Sequence, residues 1–127
     1  MPLAILIGFE YTFNTLTSNI IDLYQAYKWC HSFGCEIHLI TDVFHDLKST
    51  PHIIEAVNNQ ILPDSIYDFY DLISNKYIAT TNVSLVTTVL NIYKSYNDKD
   101  HRIVFYYSGH GIKDCLVMPD KGLLPCV

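Results

Sequence analysis

The run Ile103-Val104-Phe105-Tyr106-Tyr107 is the stretch that most restricts how this chain can fold. β-Branched and aromatic residues in unbroken succession fit a strand buried on both faces, and Ser108-Gly109-His110-Gly111 ends it abruptly. Strands buried on both faces belong to parallel sheets covered by helices. In such sheets the carboxyl ends of the strands are where ligands bind. His110 falls at that end between two glycines, where the backbone is bare, and is a candidate general acid and base.

Two further stretches read as strands of the same sheet. Leu3 to Phe9 is continuously apolar, and Glu36-Ile37-His38-Leu39-Ile40 is stopped by Thr41-Asp42. Between them Ile20, Leu23, Tyr24, Tyr27, Cys30 and Phe33 keep a helical period, with Thr17 or Ser18 as the cap and Gly34 as the stop. Strand, helix, strand in this order is a βαβ unit with a right-handed crossover. Residues 43–79 read as an elaborated connection. Pro51 opens one short helix through Ile53, Ile54 and Val57, and Pro63-Asp64-Ser65 opens another with Ile66, Phe69, Tyr70 and Ile73 inward. Thr80 or Thr81 then caps a helix to about Tyr96, with Val83, Val86, Leu90 and Tyr93 facing the core; its β-branched content keeps a strand open as the alternative. Cys115 to Leu124, turning at Pro119-Asp120-Lys121-Gly122, reads as a small hairpin. The expectation is one α/β domain over residues 1–127. Its short parallel sheet has the order 2-1-3, with strands near 3–9, 36–40 and 103–107, and a hairpin follows.

Half of the residues are hydrophobic and 17% are charged, which excludes a disordered chain. The net charge of -5 argues against nucleic acid as a partner, because phosphate binding needs a basic surface. No apolar run is long enough to span a bilayer, and the start lacks the basic region of a signal peptide. A soluble, intracellular, cytoplasmic protein with no membrane partner is therefore expected, its four cysteines reduced. Cys30, His31, Cys35 and His38 match no zinc-site spacing, so no metal site is expected.

The segment Tyr107-Ser108-Gly109-His110-Gly111 resembles the histidine motif of the caspases and, more closely, the metacaspases. The likeness extends along the chain. Ile5-Leu6-Ile7-Gly8 resembles the family's first strand, Leu39-Ile40-Thr41-Asp42 its Leu-Leu-Thr-Asp segment, and Leu16 to Asp22 the start of its first helix, with Ile21 where the family has Asn. Residues 43–79 match least. The resemblance implies a caspase-like fold and a cysteine endopeptidase that, in the metacaspase branch, cleaves after Arg or Lys. It implies that His110 polarises a thiol and protonates the leaving amine, that the Gly111 N–H is an oxyanion donor, and that Asp22 and Ser108 bind a basic side chain of a peptide or protein substrate. Read without the family, Asp22 is a carboxylate favoured by the first turns of a helix, and Ser108 is a small turn residue.

One departure sets the functional expectation. The family nucleophile follows a further strand beyond the histidine. Here Cys115 falls in the hairpin and Cys126 follows Pro125, neither after a strand parallel to 103–107. The stretch is thus expected to be the N-terminal half of a caspase-like domain, inactive by itself. Its partner would be a chain supplying the missing strands, or a second copy through self-association. The alternative is a non-catalytic module that binds a caspase-like partner or a peptide. Calcium enters as a cofactor only through the family, whose calcium-binding acidic residues mostly lie beyond this stretch. A flavodoxin-like nucleotide domain is disfavoured, since no Gly-rich phosphate loop follows the first strand.

Overall fold

The computed structural model describes residues 1–13, 16–98 and 100–125. Its elements, in order, are β1 (Leu3–Gly8), α1 (Asn19–Ser32), β2 (Glu36–Thr41), α2 (Pro51–Asn58), α3 (Phe69–Leu72), β3 (Asn75–Ile78), α4 (Asn82–Ser95), β4 (Ile103–Ser108), β5 (Gly111–Ile112), β6 (Cys115–Val117) and β7 (Leu123–Pro125). Short 3-10 turns at Leu47–Ser49 and Asp64–Asp68 precede α2 and α3. The fold is α/β, a parallel sheet ordered β3-β2-β1-β4 with a small antiparallel sheet β5-β6-β7 beside it.

β1 lies between β2 and β4 and is parallel to both, as its apolar run requires; all six of its residues are buried. The expected order 2-1-3 is present as β2-β1-β4, with one addition. β3, inside the stretch read as connection, extends the sheet beyond β2. Its sequence, Asn-Lys-Tyr-Ile, alternates half-buried and exposed positions, the signature of a short edge strand rather than of a buried one. The register ends Gly8, Thr41, Ile78 and Ser108 level with one another, so the loops after all four strands share one edge.

Successive strand residues point to opposite faces. Ala4, Leu6 and Leu39 pack under α1 and α2 with Leu23, Ile53 and Phe69, whereas Ile5, Ile7 and Ile40 pack under α4 with Leu85 and Ile92. Each fully buried side chain of this size contributes ~1.5–3 kcal/mol. Gly8 lets α1 approach the end of β1, because a Cβ there would lie 2.5 Å from Leu23 Cδ1. At the other end of α1, Gly34 takes φ +71°, its N–H donates to the His31 carbonyl, and the Cys35 N–H donates to Cys30. This is the left-handed stop that only glycine adopts cheaply.

Two helical faces differ from expectation. Phe33 stands outside the core and packs on Trp29. On α4 the inward residues are Leu85 and Ile92 with Val89 half-buried, while Val83, Val86, Leu90 and Tyr93 are exposed. The apolar face of the helix is wide enough to hold two stripes of the same period, and the sheet selects one. Thr81, not Thr80, caps α4. Its hydroxyl accepts from the Ser84 N–H at 3.0 Å, and the Ser84 hydroxyl accepts from the Thr81 N–H at 3.0 Å. Thr81→Ala is expected to cost about 1 kcal/mol in urea unfolding, and an unchanged midpoint would show the cap to be idle. At α1 the N-cap is Ser18, without a side-chain capping bond.

The expected hairpin is present as β6 and β7, and β5 adds a third strand. Lys113 and Asp114, both at positive φ, join β5 to β6 in the two-residue turn whose twist suits a hairpin. Met118, fully buried, plugs the small sheet into the α4 side of the core. Among the described residues no helix is long and apolar enough to cross a membrane.

Candidate functional site

β4 carries His110 to the level edge of the sheet, and a tyrosine from the neighbouring strand holds it there. Tyr11 follows β1 and is buried, and its hydroxyl is a hub. The His110 N–H donates to it at 2.8 Å, it donates to the Val117 carbonyl at 2.8 Å, and the Tyr107 hydroxyl lies 2.9 Å away. The Tyr107 hydroxyl donates to the His110 carbonyl at 2.8 Å, and the Val117 N–H donates to the same carbonyl at 3.0 Å. Both backbone polar groups of His110 are therefore bound. Its half-buried ring lies on Tyr11, with centroids 4.5 Å apart, and beside Phe13 at 6.3 Å. Gly109 makes this packing possible, because a Cβ there would come within 2.5 Å of the Tyr107 hydroxyl and 2.6 Å of that of Tyr11.

Asp42, just past β2, sets Tyr11 in place. Its carboxylate accepts from the Glu10 N–H at 3.0 Å and the Tyr11 N–H at 2.8 Å. Tyr11 has φ +68°, a conformation that costs an L-residue roughly 1–2 kcal/mol and persists because the surroundings hold it. The order of control runs from β2 through Asp42 and Tyr11 to His110.

Asp22 and Ser108 meet on the α1 side of the same edge. The Ser108 hydroxyl donates to Asp22 Oδ2 at 3.2 Å. Buried Asn19 ties the start of α1 to the strand end, its Nδ2 donating to the Ser108 carbonyl at 2.7 Å. Burial, and then the Asp22 charge, push the Tyr106 hydroxyl above its ordinary value, with the Ser108 hydroxyl pulling the other way. Asp22 itself is exposed, so a cation from solvent can reach it. The structure thus joins Asp22 to Ser108, while His110 is held by a separate aromatic cluster two residues further along the chain.

Gly111 opens β5 opposite Leu116. In a hairpin closed by two residues, Ile112 and Cys115 form the hydrogen-bonded pair, which leaves Gly111 in the non-bonded register. Its N–H points away from β6, toward the free edge of β5. The described thiols lie elsewhere. Cys30 is buried on α1, where burial and then the nearby Cys35 push it up to about 11, and Cys115 sits on β6 opposite Ile112 and Pro125. Cys126 lies outside the described residues.

A cavity of about 490 Å³ opens on the far side of Tyr11, lined by Glu10, Asp42, His45, Thr80 and Asp120 among others. The Glu10 carboxylate faces His45 Nε2. The Tyr70 hydroxyl is pushed up to about 12, first by burial and then by the charges of Glu10 and Asp42, against a hydrogen bond from the His45 backbone. Among the described residues no three His, Cys, Asp or Glu side chains gather to hold a metal ion. His38 instead bonds Tyr77 at 3.1 Å and Glu36 at 2.8 Å.

Of the residues expected from the sequence, Asp22 and Ser108 are in contact and His110 is held by its own cluster, while Tyr11 and Asn19, which hold this end of the sheet together, were not singled out. Tyr11 lies in a loop with no periodicity, and only its distant neighbours reveal its use. Comparison with protein-family models, with curated proteins and with solved structures finds no match to this chain.

Proposed function

We propose that this chain carries the histidine half of a caspase-like cysteine endopeptidase site, of the metacaspase type, and that its sheet edge binds a peptide through a basic side chain. The observation that carries the reading is the 3.2 Å hydrogen bond from Ser108 to Asp22, on the strand that leads into His110. It orients an exposed carboxylate at the strand end, two residues before His110 in the chain, where a basic side chain of a bound peptide can reach it. In this reading Asp22 takes the guanidinium or ammonium group and Ser108 orients it. His110 takes the proton of an attacking thiol and returns it to the leaving amine. The Gly111 N–H donates to the carbonyl oxygen as it gains charge.

Cys30, Cys35 and Cys115 favour a second reading of the same edge. Cys30 and Cys35 lie where α1 ends and β2 begins, and Cys115 is on an antiparallel hairpin rather than at the carboxyl end of a parallel strand. The 127 residues are therefore expected to bind basic peptides without cleaving them, as a non-catalytic module does.

Calorimetric titration with a peptide ending in Arg, and with the same peptide ending in Gln, tests the reading. The Arg peptide is expected to bind, and Asp22→Asn to weaken it by about tenfold or more, the worth of a charge-assisted hydrogen bond. Equal affinity for the two peptides, or no effect of Asp22→Asn, rejects it. Turnover that vanishes in both His110→Ala and Cys126→Ala would show that this chain supplies its own nucleophile, and would reject the non-catalytic reading.

A further inference from the structure

The two edges of the main sheet are built differently. β3 is short and carries the exposed Lys76, a charge that discourages pairing with another strand. β4 has no such protection. Residues 103–109 contain no charged side chain and no proline, and their register with β1 is unbroken. The carbonyls of Arg102 and Ser108 accept from Leu3 and Phe9 on the β1 side. By the two-residue alternation of a parallel strand, Ile103 and Phe105 direct their N–H and C=O groups outward. An extended strand matches the spacing of such a row.

The surface above this edge is equally unusual. α4 is a surface helix whose single charged residue is Lys94, and a polar outer face is what solvent demands. Its outward stripe is Val83, Val86, Leu90 and Tyr93, the first 76% and the last 57% exposed. Phe105 on β4 is 59% exposed. Val86, Leu90 and Phe105 line a groove of about 240 Å³, walled only by apolar side chains, with Leu116 and Leu124 of the small sheet at its end. With Ile103, the stripe and Phe105 expose on the order of 600 Å² per chain. Covered completely, two such surfaces bury at most ~1,200 Å² of side chain, which reaches the lower bound of a specific, stable interface.

We propose that this face pairs with a second copy of the chain, β4 against β4 in antiparallel, about a two-fold axis at Phe105. The axis places Phe105 opposite the partner's Phe105, each N–H donating to the other's carbonyl, and joins the two sheets into one of eight strands. Because it runs perpendicular to the sheet, both α4 helices fall on the same side and their apolar stripes close over the seam. The patch is its own complement, as a two-fold interface requires. The seam on β4 carries no charge, so the chain's net charge of -5 does not oppose it there. In the peptidase reading a chain supplying further strands would use this same edge, so a second copy and such a chain compete for it.

Sedimentation velocity of the 127-residue chain across the micromolar range, with the variants Phe105→Lys and Leu90→Lys, tests it. Both positions are exposed, so the fold survives substitution, and far-ultraviolet circular dichroism verifies that. A concentration-dependent dimer is expected for the natural sequence. Each lysine is expected to weaken it by at least about tenfold, since an unpaired charge is costly at a dry seam. A monomer throughout the range, a dimer indifferent to both lysines, or oligomers that grow without limit would each overturn the proposal.

Discussion

Tyr11→Phe, the loss of one oxygen atom, is expected to lower the unfolding free energy by about 3 kcal/mol and to release the backbone around His110. The hydroxyl accepts from the His110 N–H and donates to the Val117 carbonyl. A buried polar group left without a partner costs ~1–3 kcal/mol, and two are affected. The Tyr107 hydroxyl can turn to one of them, which keeps the sum below the maximum. Urea unfolding measures the loss, and amide exchange at His110 measures the release. A change under about 1 kcal/mol with the His110 amide still protected would mean that Tyr11 is a packing residue and no hub. The phenylalanine ring still fills the site, so cavity formation does not confuse the result.

Asp42→Ala is expected to cost a similar amount, about 3 kcal/mol, by a different route. Two backbone N–H groups lose an ionised acceptor, and hydrogen bonds to charged groups are worth ~1.5–3 kcal/mol each. Tyr11 also loses what holds it at φ +68°, so its ring shifts from beneath His110. Asp42→Asn keeps one acceptor oxygen and is expected to recover part of the loss. The measurements are the unfolding midpoint and, for the site, the affinity for the Arg-terminated peptide. An alanine variant as stable as the parent, or an asparagine variant no better than alanine, would remove Asp42 from the chain of control that ends at His110.

Much of the sheet could be read from residue order because β1 is a continuous apolar run, all of it buried, and β2 and β4 are rich in β-branched and aromatic residues. The expected burial of β4 on both faces is not met, since it lies at an edge of the sheet with Ile103 and Phe105 exposed. β3 escaped because an edge strand of four residues alternates its burial and includes a lysine, leaving no run to notice. α4 shows a different obstacle. Periodicity identified the helix and its cap region, but Leu85-Val89-Ile92 and Val83-Val86-Leu90-Tyr93 both obey the helical repeat, and only the sheet beneath decides between them. Phe33 missed the core for a nearby reason, because it is the residue at which α1 stops. At the site, His110, Ser108 and Asp22 stand within local patterns and were legible. Tyr11 was not, because its partners at 107, 110 and 117 are remote in sequence and no spacing rule links them.

The central position of β1 governs the order in which this chain can be assembled. Its partner on one side, β2, is close in sequence and completes a local βαβ unit. On the other side Leu3 pairs with Ile103 and Gly8 with Ser108, so everything between β1 and β4 is a loop that must close before that pairing forms. Closure entropy of this kind slows folding far more than it weakens the folded state. During synthesis β1 emerges before β4 and waits for it with one side open, its apolar sequence exposed to other nascent chains. Mutations that weaken the β1–β4 ladder should therefore show first as poor recovery of soluble protein, before the melting temperature of the molecules that do fold has moved appreciably.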